Sequence, residues 1–144
     1  MARKLRTERR APESKPARNK GAKSIKDTGQ VDLLPELRQA YPGIFDECRD
    51  AMVWPGWVTL VRELAAELAK TADVRVVQIK SKFGELRAYT ATAKAQGLVG
   101  PYIERSRTTC ELCGITEGVR QVRVPTQGRP AWLWTICPAC ETKL

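Results

Sequence analysis

Four of the five cysteines of this 144-residue chain fall into two close pairs near its C-terminal end, Cys110-Glu111-Leu112-Cys113 and Cys137-Pro138-Ala139-Cys140, with 23 residues between them. Each C-x-x-C pair can present two thiolates from a tight knuckle, and an intervening segment of that length can fold back as a hairpin that brings the pairs together. Gly114, directly after the first pair, suits the left-handed turn such knuckles use. The spacing predicts one tetrahedral Zn2+ held by Cys110, Cys113, Cys137 and Cys140. Four thiolates close the coordination sphere, leaving no position at which water is activated, so the expected role of the metal is structural and not catalytic. Two disulfides, a redox-active C-x-x-C or an iron–sulfur cluster are the competing readings. The first is disfavoured in a reducing compartment and the second by the lack of a thioredoxin-like βαβ pattern. Cys48 is left over and is assigned no role.

The compartment is inferred from what is missing. No apolar run approaches the roughly 18 to 20 residues of a membrane-spanning helix, and the basic start has no apolar segment behind it, so a cytoplasmic protein with no membrane partner is expected. The chain has no histidine, which removes histidine-based acid–base catalysis, Ser-His and Cys-His nucleophiles and His-containing metal sites. Neither a G-x-x-x-x-G-K-[ST] loop nor a G-x-G-x-x-G after a strand occurs. The scattered acids Asp46, Glu47, Asp50 and Glu85 form no recognisable catalytic set. The expectation is therefore a non-enzyme with no small-molecule substrate.

Charge is uneven along the chain. Residues 1–30 carry a net +7 and residues 31–144 a net +2 of the total +9. Within 1–30 only Leu5 and Ile25 are sizeable apolar side chains, too few to offset an ordering cost of about 1 to 2 kcal/mol per residue, and this segment is expected to be a disordered basic tail. Its cations, Arg3, Lys4, Arg6, Arg9, Arg10, Lys15, Arg18, Lys20, Lys23 and Lys26, suit nucleic-acid phosphates, DNA or RNA, or an acidic protein surface. A solubilising extension is the plain alternative.

Hydrophobic patterning occupies the middle. Asp32 to Ala40 reads as a short helix with Pro35 in its first turn, ending before Tyr41-Pro42-Gly43. Trp57, Leu60, Val61, Leu64, Ala65 and Leu68 recur at the spacing of one helical face. Val74 to Lys80 and Glu85 to Thr90 are β-prone runs around Lys82-Phe83-Gly84, a predicted hairpin with Gly84 in the awkward dihedral. A further helix from Ala91 is predicted to break at Gly97 and Gly100, with Pro101 starting a new turn. These elements predict an α+β fold: helices packed on a small antiparallel sheet of two or three strands in residues 31–106, joined to a treble-clef or zinc-ribbon-like module in 107–144.

Aromatic residues recur near both regions. Trp132 and Trp134 share one face of a strand and can pack against the rest of the domain, the favoured reading, or stack on unpaired bases with Arg120, Arg123 and Arg129 nearby. Trp54 and Trp57 flank Pro55-Gly56 and are expected to pin a helix start to the core. Lys80, Lys82 and Arg87 read first as a solvated edge that deters strand pairing, and second as a phosphate contact.

Taken together, Tyr41-Pro42-Gly43-Ile44-Phe45, Gly56-Trp57-Val58-Thr59-Leu60, Val76-Val77-Gln78-Ile79-Lys80, Lys82-Phe83-Gly84-Glu85-Leu86-Arg87 and the two cysteine pairs resemble a group of small bacteriophage and prophage proteins of unassigned function. The likeness covers about residues 41–140. It implies a phage setting, hence a host cytoplasm, and a zinc-binding C-terminal segment, but no reaction. Two functions follow as expectations. One is a nucleic-acid-associated accessory protein whose arm grips phosphates, and the other a protein-binding adaptor or inhibitor of a host or phage machine.

Overall fold

The computed structural model describes residues 29–126 and 128–144. The ten tail cations from Arg3 to Lys26 lie outside the described residues. Among the described residues six strands and four helices follow one another: β1 (Val31–Asp32), α1 (Leu34–Ala40), β2 (Ala51–Val53), a 3-10 turn (Pro55–Trp57) running into α2 (Val58–Leu68), β3 (Val76–Lys82), β4 (Glu85–Thr90), α3 (Ala93–Ser106), β5 (Arg120–Thr126), β6 (Arg129–Ile136) and α4 (Pro138–Glu141). Residues Val31–Leu144 form one compact unit, and the expected division at 106–107 falls at the end of α3. No helix among the described residues is long and apolar enough to cross a membrane.

The fold is α+β, with one correction to the expected sheet. It has four strands in the order β1-β2-β3-β4, and it is mixed: β1–β2 and β3–β4 are antiparallel while β2 and β3 run parallel. The parallel pair follows from connectivity, because α2 lies between β2 and β3 and carries the chain back before β3 begins, as a parallel pair requires. Two- and three-residue strands such as β1 and β2 carry too little periodicity to be visible beforehand.

The helical face read from the sequence is the one buried. Trp57, Leu60, Val61, Leu64, Ala65 and Leu68 lie against Ala51, Val53, Ile79, Leu86 and Ala88 of the sheet, each large side chain stabilising the fold by about 1.5 to 3 kcal/mol. Arg38 holds the connection after α1 by donating to the Phe45 and Cys48 carbonyls at 3.2 and 3.1 Å. The Phe83-Gly84 turn joins β3 to β4 with φ of 54° and 70°. Two positive dihedrals in a two-residue loop suit the right-handed twist of the flanking strands. Gly84 behaves as expected, and Phe83 shares the strain.

A second correction concerns α3, which runs unbroken through Gly97, Gly100 and Pro101. Tertiary bonds outweigh local propensity here. Thr92 caps the first turn by accepting from Ala95 N at 3.2 Å. Gln96 accepts from Thr90 N at 2.9 Å and donates to the Ala88 carbonyl at 2.8 Å, and buried Ser106 accepts from Leu86 N at 3.1 Å. Together these side chains satisfy the free edge of β4, which would otherwise be open to strand addition.

Candidate metal centre

The two cysteine pairs converge. The first knuckle is closed by Gly114 N donating to the Cys110 carbonyl at 3.0 Å and Cys110 N donating to the Ile115 carbonyl at 2.9 Å. Gly114 takes φ of 85°, the left-handed turn read from its position. From there β5 and β6 form an antiparallel hairpin, with Arg120 opposite Ile136 and Val122 opposite Trp134. β6 delivers the second pair, where Cys137 caps α4 and its sulfur accepts from Cys140 N at 3.4 Å.

All four Sγ atoms lie within 4.8 Å of one another, and Cys113 Sγ is 3.7 Å from Cys137 Sγ. None of the cysteines is in a disulfide. Sulfur atoms bonded at about 2.3 Å to one tetrahedral ion stand about 3.8 Å apart, so the cluster has the dimensions to hold a metal ion. Cys110, Cys137 and Cys140 are buried and Cys113 is exposed.

The thiols are electrostatically unequal. Burial raises the Cys110 thiol, but backbone N–H groups of Cys113, Cys137 and Leu112 oppose it and bring it down to about 7. Burial and the other three sulfurs push Cys140 up to about 12. Four adjacent sulfurs cannot all carry charge without a cation among them.

Three side-chain connections tie this cluster to the β3–β4 hairpin and to the 3-10 turn before α2, and none was anticipated from the sequence. Glu111, between Cys110 and Cys113 of the first knuckle, is fully buried. Its carboxylate accepts from Ser81 Oγ and from Thr135 N, both at 2.8 Å. Burial pushes the carboxyl up to about 7, against the lowering effect of those two donors. Thr135 Oγ1 in turn donates to the Gly84 carbonyl. Trp57 Nε1 donates to the Thr109 carbonyl at 2.8 Å, one residue before Cys110.

Gly56 completes the junction: its N–H donates to the Glu111 carbonyl at 2.7 Å. A Cβ at this position would meet the Cys110 oxygen at 2.0 Å. The Pro55-Gly56 step is therefore a seat for the knuckle as well as a helix start. One signal for the Glu111 contact was available, since Ser81 is a polar residue at an inward position of β3, two residues from Ile79.

The tryptophans divide. Trp57 enters the core as expected, whereas Trp54 lies against Trp134, ring centroids 4.9 Å apart, and Trp134 meets Trp132 edge to face at 6.3 Å. Arg120 is engaged with Glu141 at 2.8 Å. Cys48, buried, donates its thiol hydrogen to the Asp50 carbonyl at 3.2 Å, and burial pushes the thiol up to about 11. Compared with protein-family models, with curated proteins and with solved structures, the chain matches none.

Proposed function

We propose that Cys110, Cys113, Cys137 and Cys140 hold one Zn2+ as a structural ion, and that the protein is a non-enzymatic accessory factor that binds nucleic acid through its basic N-terminal arm. The metal reading is supported by the 3.7 Å sulfur spacing and the all-thiolate donor set. The order knuckle, hairpin, helical turn, with the last two sulfurs at the helix start, supports a treble-clef-like arrangement. Bound there, the ion supplies cross-linking and charge neutralisation. The chain's own residues do the rest: Glu111 and Thr135 fix the knuckle to the β3–β4 hairpin, and Trp57 and Gly56 fix it to the start of α2, so the centre stiffens the folded unit.

The arm reading rests on one observation, the concentration of +7 in residues 1–30 against +2 in the remaining chain. Such a segment attracts polyanions without reading sequence. The phage setting implied by the resemblance agrees with a small accessory role. Metal analysis of reduced protein should return one zinc per chain. Binding to duplex DNA across a salt series should give a slope near −4 to −5 if the arm makes about five phosphate contacts. A flat salt dependence, or no binding to DNA or RNA, would refute the arm. Co-purification of a defined protein that survives nuclease treatment would then favour the adaptor reading.

A further inference from the structure

The helices cover one side of the four-stranded sheet, and the strand register defines the other. The pairings Met52 with Lys80, Lys80 with Arg87 and Gln78 with Tyr89 set these side chains opposite the buried Ala51, Ile79 and Ala88, by the two-residue alternation of a strand. Two residues after Met52 the chain reaches Trp54, which is outside the helix-packed core and meets Trp134. Three rings thus form a ladder that starts buried at Trp54, 9% exposed, and ends in solvent at Trp132, 38% exposed.

By the same alternation, cations share this side of the sheet with Trp54. Lys80 and Lys82 lie on the same side of β3, and neither has an ion-pair partner among the described residues. The carboxylate opposite Lys82, that of Glu85, is already held by Arg87 and Arg107. The other acids of this side are marginal: Asp32 sits on the edge strand β1, and Asp50 accepts from Gln78 at 3.1 Å. A second observation points the same way. Among the described residues, the buried side-chain nitrogen and oxygen atoms without a partner are Trp54 Nε1 and Arg87 Nε. Both are donors, both belong to this side, and orphaned buried donors are rare enough to call for an acceptor.

The exposed Trp132 ring, two lysines without an ion pair and the orphan donors match a ligand with stackable flat faces, negative charge and many acceptors. We propose that this side of the sheet, with the Trp132–Trp134 ladder, is a docking face for single-stranded nucleic acid. Trp132 stacks on a base, and Lys80 and Lys82 contact the flanking phosphates. A duplex hides its base faces and cannot use the ladder. An apolar protein surface would satisfy the rings but not the donors. The inference rests on the nucleic-acid reading above and adds to it a second surface with its own strand preference.

The test uses the full-length, zinc-loaded protein, titrated by fluorescence anisotropy with a labelled oligothymidylate of about 12 nucleotides and with a duplex of the same length. Trp132→Ala is expected to weaken single-strand binding about tenfold, from the usual loss of one base–aromatic stack, and to leave duplex binding within about twofold. Trp132→Phe should restore most of the loss. Lys80→Gln with Lys82→Gln, two surface changes that spare the core, should reduce the magnitude of the single-strand salt slope by about 1.4. Replacing Arg3, Lys4, Arg6, Arg9 and Arg10 by Gln should weaken both oligonucleotides alike. If only the tail variant matters, the docking face is refuted and the arm stands. If neither oligonucleotide binds, both fall and the ladder is left as a protein contact.

Discussion

Replacing Gly56 by alanine adds one methyl group where the 3-10 turn before α2 meets the Cys110–Cys113 knuckle. That carbon would lie 2.0 Å from the Cys110 oxygen and 2.7 Å from both the carbonyl carbon and the oxygen of Glu111, all backbone atoms that cannot rotate aside. Relief requires the knuckle to retreat by more than about 1 Å, since carbon and oxygen without a bond settle near 3.5 Å. Retreat also breaks the 2.7 Å bond from Gly56 N to the Glu111 carbonyl. Overpacking of this kind costs about 1 to 3 kcal/mol, and an unsatisfied buried amide about 1 to 3 kcal/mol more. A loss of about 3 to 5 kcal/mol is expected, a large part of the 5 to 15 kcal/mol typical of a domain. Because Cys110 moves with its carbonyl, zinc affinity should fall by about 100-fold or more at the same time. Urea unfolding at fixed free zinc and competition against a chromophoric chelator measure the two effects. Gly97→Ala is the control: it lies within α3 with nothing within 4 Å of the added carbon, and should stabilise by about 0.5 to 1 kcal/mol. If Gly56→Ala unfolds within 1 kcal/mol of the parent and binds zinc equally well, the proposed seat is wrong.

Glu111→Ala strands the Thr135 N–H and the Ser81 hydroxyl and is expected to cost about 3 kcal/mol or more, while Glu111→Gln, which can accept from one and donate to the other, stays within about 1 kcal/mol; equal losses in urea melts would contradict this pairing. Trp57→Phe removes the bond to the Thr109 carbonyl and part of a fully buried ring, an expected loss of about 2 to 3 kcal/mol that denaturant titration reads directly. Chelation of zinc at neutral pH should lower the melting temperature of the whole folded unit, since structural zinc contributes about 10 to 16 kcal/mol to a holo fold; an unchanged melt by calorimetry would remove the structural role. Cys48, its thiol raised to about 11 by burial, favours the neutral form on folding. Its stabilising contribution is therefore complete below the ordinary thiol value near 9 and is lost as pH rises through 11. At pH 8 iodoacetamide should leave Cys48 unmodified in the native protein and label it in urea, as mass spectrometry would show; equal labelling would place Cys48 at the surface.

Features written as local repetition are legible in the sequence itself. The face from Trp57 to Leu68 has a full helical period, Phe83-Gly84 sits between two β-prone runs, and the cysteine pairs carry their own geometry. What could not be read depends on pairs far apart in sequence. β1 and β2 are too short to show alternation, and their places are fixed only once β3 offers an edge. Gly97, Gly100 and Pro101 suggested a break because propensity is local, whereas Gln96 and Ser106 are held by β4. Nothing beside Glu111 in the sequence gives its carboxylate a partner. Only Ser81, 30 residues earlier, and Thr135, 24 later, give it a role. Gly56 read as a helix-start residue because nothing near it in sequence shows that Cys110 will lie on top of it.

The stitches around Glu111 also bear on how this region can be reused. A C-x-x-C hairpin is often thought of as a portable cassette, sewn into one host chain after another. Here the Thr135 hydroxyl and the Glu111 carboxylate find their partners in Ser81 and Gly84, on the other side of the seam. A transplant of residues 107–144 alone would carry the four clustered cysteines intact but leave that carboxylate and hydroxyl without Ser81 and Gly84. Any successful graft would have to bring the β3–β4 hairpin along with it.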